Sequence, residues 1–333
     1  MPKFVRVFVP ALLIGLLVAE AAQAQWVWTP QTGRWINMKR LPRETPELQL
    51  EYARSLLLDG DYNKALRECD KFDKFYGDSE LSDQVQYLRG EIRLGQGKHM
   101  AAAQAFQQVL SAYPDTSLYD DAIDKQYEVA DHYYDVGERR MDDRWRPFRK
   151  RPLKKAIEVY EMVIENQPFT ETAAEAQYKV GLCHYTREEY IESAFEYRRV
   201  VEDYSGSEWV DDASYGLAQT YYDMSFPPEY DQTPSMLAIE AIDDFTSRFP
   251  SDERTTGMDE KRAEMRNRIA EQRLQTAAFY EKRRKFESAR IYYEIIIEDF
   301  SDTPAAETAK AWLAEHTGVE SLTEKYQDKG YSL

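Results

Sequence analysis

Apolar residues recur at three- and four-residue intervals along most of the chain, the spacing of amphipathic helices rather than strands. The pattern also repeats. Six segments align: "ALRECDKFDKFYGDSE" from Ala65, "AAAQAFQQVLSAYPDTS" from Ala101, "AIEVYEMVIENQPFTET" from Ala156, "SAFEYRRVVEDYSGSE" from Ser193, "AIEAIDDFTSRFPSDE" from Ala238 and "ARIYYEIIIEDFSDTP" from Ala289. Each is an amphipathic helix closed by a turn residue: Gly77, Pro114, Pro168, Ser205, Pro250 and Ser301. Two of the turn-to-turn spacings are 37 residues, near the tetratricopeptide period, and the longer ones require insertions.

Columns of small side chains fix the register. One holds Ala65, Ala102, Ala156, Ser193, Ala238 and Ala289; an earlier one holds Ala53, Gly90, Ala130, Gly181, Gly216 and Ala277. Small residues there let two antiparallel helices approach closely. A bulky column four residues after the second small one fills the space beside them: Cys69, Phe106, Tyr160, Tyr197, Ile242 and Tyr293. No such pair buries its apolar face alone, so the pairs are expected to stack. The fold class expected is all-α, a right-handed superhelical solenoid of about six tetratricopeptide-like helix pairs over residues 46–302. "AAETAKAWLAEH" is expected to cap it, within a capping helix and tail spanning 303–333. Insertions are expected at about 138–151 and at "SFPPEYDQTP". One long helix is expected from about Gly257 to Arg283.

The amino terminus reads differently. Residues 1–24 combine Lys3 and Arg6, an apolar run of about a dozen residues and a closing Ala22-Gln23-Ala24, the pattern of a cleaved secretory signal; an uncleaved anchor is the alternative. Behind it, in a segment spanning 25–45, come Trp26, Trp28 and Trp35, half of the chain's 6 tryptophans. Three uses fit them: packing over the first helix pair, holding a partner, or resting at a membrane surface. The only cysteines are Cys69 and Cys183, both within helical patterns, so a lipid-modified first cysteine is not expected.

The net charge of −17 disfavours nucleic acid as a partner. The stretch "RRMDDRWRPFRKRPLKK" reverses the local sign, with Arg144, Arg146, Arg149, Lys150 and Arg151 around Trp145. It suits an acidic partner or anionic head groups, or it pairs with the chain's own acidic helices. No catalytic constellation stands out. The histidines, His99, His132, His184 and His316, form no His-Glu-x-x-His pair, no Cys-x-x-Cys exists, and Gly95-Gln96-Gly97 lacks a third glycine. Neither enzyme activity, nor a cofactor, nor a metal is expected.

The exported chain, the five or six repeats and turns such as "YPDTS" and "FPSDE" together resemble the BamD (YfiO-like) outer-membrane assembly family. The resemblance implies a periplasmic, outer-membrane-peripheral scaffold in the machine that inserts β-barrel proteins. Its amino-terminal repeats would receive extended client segments and its carboxyl-terminal repeats would dock on other subunits. The missing lipidation cysteine departs from the family pattern. A broader alternative is a periplasmic adaptor for cell division or envelope organisation. In a stacked array the first helix of each pair lines the inner face, at three before, one after and four after the first small column. Those places hold Arg54, Tyr87, Glu91, Tyr127, Asp131, Tyr134, Tyr178 and Tyr185. Tyrosines suit an extended aromatic-bearing peptide; the alternative is that these rings pack between repeats.

Overall fold

The computed structural model describes residues 26–29, 34–37, 40–141, 148 and 150–318. The leader, the tail beyond Gly318 and Arg144, Trp145, Arg146 and Arg149 lie outside the described residues. Two short strands, β1 (Trp26–Thr29) and β2 (Arg34–Asn37), pair antiparallel with Trp28 opposite Trp35 and Trp26 opposite Asn37. This hairpin is the one departure from all-α structure among the described residues, and the helical reading of the chain does not anticipate it.

The helices are α1 (Pro46–Leu58), α2 (Tyr62–Tyr76), α3 (Ser82–Gly95), α4 (His99–Ala112), α5 (Tyr119–Met141), α6 (Arg151–Asn166) and α7 (Glu171–Thr186). They continue as α8 (Tyr190–Asp203), α9 (Val210–Met224), α10 (Thr233–Arg248), α11 (Thr255–Lys282), α12 (Phe286–Asp299) and α13 (Pro304–Glu315). The chain divides into two compact units, Met1–Ala122 and Ile123–Leu333, with the break in the first turn of α5.

Local chemistry sets the helix ends. Thr45 caps α1 through Leu48 N at 3.3 Å and Thr170 caps α7 through Ala173 N at 3.1 Å. Proline opens α1 and lies in the first turn of α6, α10 and α13, where its missing N–H costs nothing. Four turns inside pairs share one device. Seven residues after the first small column stands a left-handed residue: Gly60 (φ 75°), Gly97 (φ 70°), Glu188 (φ 63°) and Arg284 (φ 59°). These are the four pairs whose two small columns lie twelve residues apart.

The small and bulky columns meet as packing requires. A Cβ on Gly90 would come within 2.4 Å of the Phe106 ring, and one on Gly181 within 2.8 Å of Tyr197. Cys69, Phe106, Tyr160, Tyr197, Ile242 and Tyr293 are all buried. Gly216 differs: it meets Tyr197 of the preceding pair, and it is Ala218, fully buried, that packs with Ile242, the bulky residue of its own pair. In the first unit the core runs through Leu50, Ala53, Cys69, Phe72, Leu88 and Ile92. At the far end of the second, Tyr293 stacks on Trp312 at 4.5 Å, so α13 closes the last pair.

The insertions are smaller than expected. Helix α5 continues to Met141, past the expected break near Glu138, with Gly137 admitting Leu153 of α6. Between α9 and α10 the buried Gln232 amide donates to the carbonyls of Pro227 (2.9 Å) and Tyr230 (3.1 Å), and its Oε1 accepts from Ser235.

Candidate functional site

Constant offsets show that the first helices of the second unit run parallel. Asp212 meets Arg254, Gln219 meets Lys261 and Tyr222 meets Glu264, each pair 42 residues apart between α9 and α11. Between α7 and α9, Tyr185 donates to Asp223 Oδ2 at 2.5 Å. Between α5 and α7, Lys179 Nζ lies 3.6 Å from Asp131. The inner-face positions therefore meet across neighbouring pairs.

The expected site residues fall into two sets. In the first unit, Arg54 is exposed and donates to Gln84 Oε1 at 2.9 Å. Tyr87 and Glu91 are half-buried. In the second unit, Asp131 accepts from the Tyr160 hydroxyl and faces Lys179, whose ammonium also lies 5.4 Å from the Tyr134 ring. Tyr134 donates to Glu138 at 3.3 Å. Tyr178 stacks on Trp209 at 5.2 Å, and Tyr185 is held by Asp223, which also accepts from Gln219 at 2.8 Å.

One regularity joins the three tyrosines that precede the first small column. Each leans on the large ring at the centre of its own pair: Tyr87 on Phe106 (5.2 Å), Tyr127 on Tyr160 (5.5 Å) and Tyr178 on Tyr197 (5.6 Å). One part of each ring is packed and the ring as a whole is half-buried. Such rings are pre-positioned at little entropy cost to a ligand. Burial, with Glu175 beside it, pushes the Tyr127 hydroxyl well above the ordinary tyrosine range. Burial does the same for Tyr134, with Glu138 nearby, and for Tyr185, with Asp223. Tyr178 is pushed up to about 12, chiefly by burial. These hydroxyls stay protonated donors at any physiological pH, and two of them, Tyr134 and Tyr185, are already spent on carboxylates. The face is consequently rich in ring edges and carboxylate oxygens, with Lys179, Lys261 and Arg268 balancing part of the charge.

Lys179, Trp209, Asp223, Glu264 and Arg268 belong to this face and are absent from the expected set. Arg268 donates to Glu264 at 2.5 Å and to Ser225 at 2.6 Å. Only Glu264 follows the repeated 42-residue separation, through Tyr222; the others meet residues of neighbouring pairs at spacings that do not repeat, so the sequence carries no common signal for them. Elsewhere, Trp28 of the hairpin is exposed. Lys150 donates to the Arg187 carbonyl and lies 3.4 Å from Glu188, and Arg151 is exposed at the start of α6. An open hollow of about 700 Å³ lies in the first unit among Gly60, Tyr62, Arg67, Gly95 and Lys98, away from the expected residues. Among the described residues, no group of three or more His, Cys, Asp or Glu could hold a metal ion.

A family model described as outer membrane lipoprotein, YfiO, matches residues 145–330, and one described as tetratricopeptide repeat matches residues 84–116. No curated protein matches the sequence. Similar solved structures include a thermophilic tetratricopeptide protein of Thermus thermophilus. It is 14% identical over 66% of this chain and 98% of that one, with a TM-score of 0.32. A tetratricopeptide protein of Parabacteroides merdae is 16% identical over 85% and 96%, with a TM-score of 0.32.

Proposed function

This chain belongs to the YfiO family of outer membrane lipoproteins, and from that premise we propose that it is a non-catalytic protein-binding scaffold in the assembly and insertion of outer-membrane β-barrel proteins. The observation that carries the reading is the inner face of parallel first helices, where half-buried tyrosines stand beside carboxylates. An extended segment laid along it would meet ring faces with its aromatic side chains and carboxylate oxygens with its backbone N–H groups. Arg54, Tyr87 and Glu91 would serve in the first unit, and Tyr127, Asp131, Tyr134, Tyr178 and Tyr185 in the second. The carboxyl-terminal pairs would dock on other subunits of the machine.

In the same reading residues 1–24 export the chain, 25–45 with Trp26, Trp28 and Trp35 hold it to a partner or the membrane, 46–302 form the binding array and 303–333 close it. The protein would then work in the periplasm, peripheral to the outer membrane. The family's name implies a lipid anchor, whereas Cys69 and Cys183 are both buried in helices.

Mild-detergent purification of the intact protein from envelope membranes tests the proposal. Co-purification of a large barrel protein with periplasmic domains is expected. Recovery of only division or wall proteins would retain the repeat fold and refute the barrel-assembly role.

A further inference from the structure

Helices of the second unit alternate in direction. Near the α5–α6 turn Gly137 faces Leu153, and at the far end of the same pair Gln126 accepts from Asn166 at 3.0 Å. His184 meets Glu189 beside the α7–α8 turn, and Phe286 stacks on His316 where α12 begins and α13 ends. Turns inside pairs therefore share one edge of the unit, and turns between pairs share the opposite edge.

The two edges differ in chemistry. The between-pair edge is acidic, with Glu202, Asp203 and Glu208 around the α8–α9 turn and Asp299 and Asp302 around the α12–α13 turn. The within-pair edge is cationic at both ends, although the chain carries −17. Lys150, Arg151 and Lys154 stand where α6 begins; Lys282, Arg283, Arg284 and Lys285 stand where α11 gives way to α12. The last four are all exposed and form no ion pair among the described residues. Arg284 takes the left-handed turn position held elsewhere by Gly60, Gly97 and Glu188.

The same edge carries exposed apolar rings. Phe148 is 78% exposed, Tyr230 61%, Phe226 55% and Phe279 52%, and the Arg283 guanidinium lies 3.6 Å from the centre of the Phe279 ring. Between the cationic ends, Glu189 pairs with Arg187 and His184 and Glu188 takes part of the charge of Lys150, while Glu229 and Asp231 of the α9–α10 turn are exposed on the same edge and leave its positive charge concentrated at the two ends. Cations pair with phosphate head groups while neighbouring rings settle at the head-group level. An acidic protein face would use the cations and leave the exposed rings, Phe148, Phe279 and the touching pair Phe226 and Tyr230, uncovered.

We propose that the within-pair edge of the second unit docks on a bilayer surface bearing anionic phospholipid head groups. The proposal rests on the envelope location given above and not on the identity of any client.

The test is co-sedimentation of the full chain with vesicles of phosphatidylcholine alone or mixed with phosphatidylglycerol. The chain is expected to bind only the mixed vesicles and to be released by about 0.5 M salt. Two triple reversals, R283E/R284E/K285E and K150E/R151E/K154E, treat the two ends separately. Each is expected to weaken binding on the order of a hundredfold, with a melting curve like that of the parent; should one fail to fold, the other reads the edge. No binding, equal binding to both vesicle types, or binding unchanged by the reversals (docking through another segment) overturns the proposal. So does loss of an acidic soluble partner in the same variants without any vesicle binding. Client capture on the inner face is read separately and is not altered by either outcome.

Discussion

Gly90→Ala isolates the packing rule on which the array depends. At an unconstrained helix position this change stabilises by about 1 kcal/mol, because alanine loses less backbone freedom. In α3 the new methyl would lie 2.4, 2.6 and 2.8 Å from three carbons of the Phe106 ring. Those separations fall about 1 Å short of ordinary contact, and Phe106 is fully buried with no room to retreat. Overpacking of this kind costs about 1–3 kcal/mol; the depth of the clash places the cost in the upper part of that range. After the propensity gain, the net is a loss of about 1–2 kcal/mol. Urea unfolding of the variant, of Phe106→Leu and of the double mutant reads it directly. The smaller side chain should recover much of the loss, giving a coupling of about 1 kcal/mol or more. Because Tyr87 leans on Phe106, the single variant should also disturb the fluorescence of that ring. A variant more stable than the parent, with no coupling to Phe106→Leu, would refute the close-approach account.

The left-handed turn position should respond with opposite signs at two sites: Glu188→Gly stabilises by up to about 1 kcal/mol, whereas Gly60→Ala, with open space around its Cβ but φ 75°, destabilises by about as much, both read by urea unfolding. The Tyr222 hydroxyl, and then Arg268, hold the Glu264 carboxyl below its ordinary 4.5. Its contribution is therefore complete above that value and is lost as the pH falls through the lower folded value; Glu264→Gln should flatten part of the fall in Tm below about pH 5. Burial pushes the Cys69 thiol up to about 12, so both buried thiols should resist a thiol reagent at about pH 8 in the native protein and react on unfolding; fast native reaction would contradict the packing.

Helix pairing was legible because it is written in side-chain volume. Gly90 with Phe106 and Gly181 with Tyr197 stand at the same spacing in sequence and meet in the structure. The register of α9 was harder to read. Gly216 looks like the next small residue of the column, yet it serves the ring of the pair before it, and Ala218 takes the buried place. The loop pinned by Gln232 lengthens that pair and removes the twelve-residue spacing that identifies the register elsewhere. The hairpin is weakly marked: "WVWT" and "RWIN" are only four residues each, although aromatic and β-branched residues on either side of a Gly-containing break are strand signals. Counting from the small column reaches the half-buried tyrosines of the first helices but not Lys179, Asp223 or Glu264, whose contacts depend on the neighbouring pair.

The most direct test of the scaffold reading is site-specific photo-crosslinking from the inner face in cell envelopes, with the probe at Tyr87 or Tyr178 and a control at exposed Glu158. The account predicts adducts with unfolded barrel proteins from the inner-face positions and none from the control. Adducts only with wall or division proteins, or equal labelling from all three positions, would contradict it.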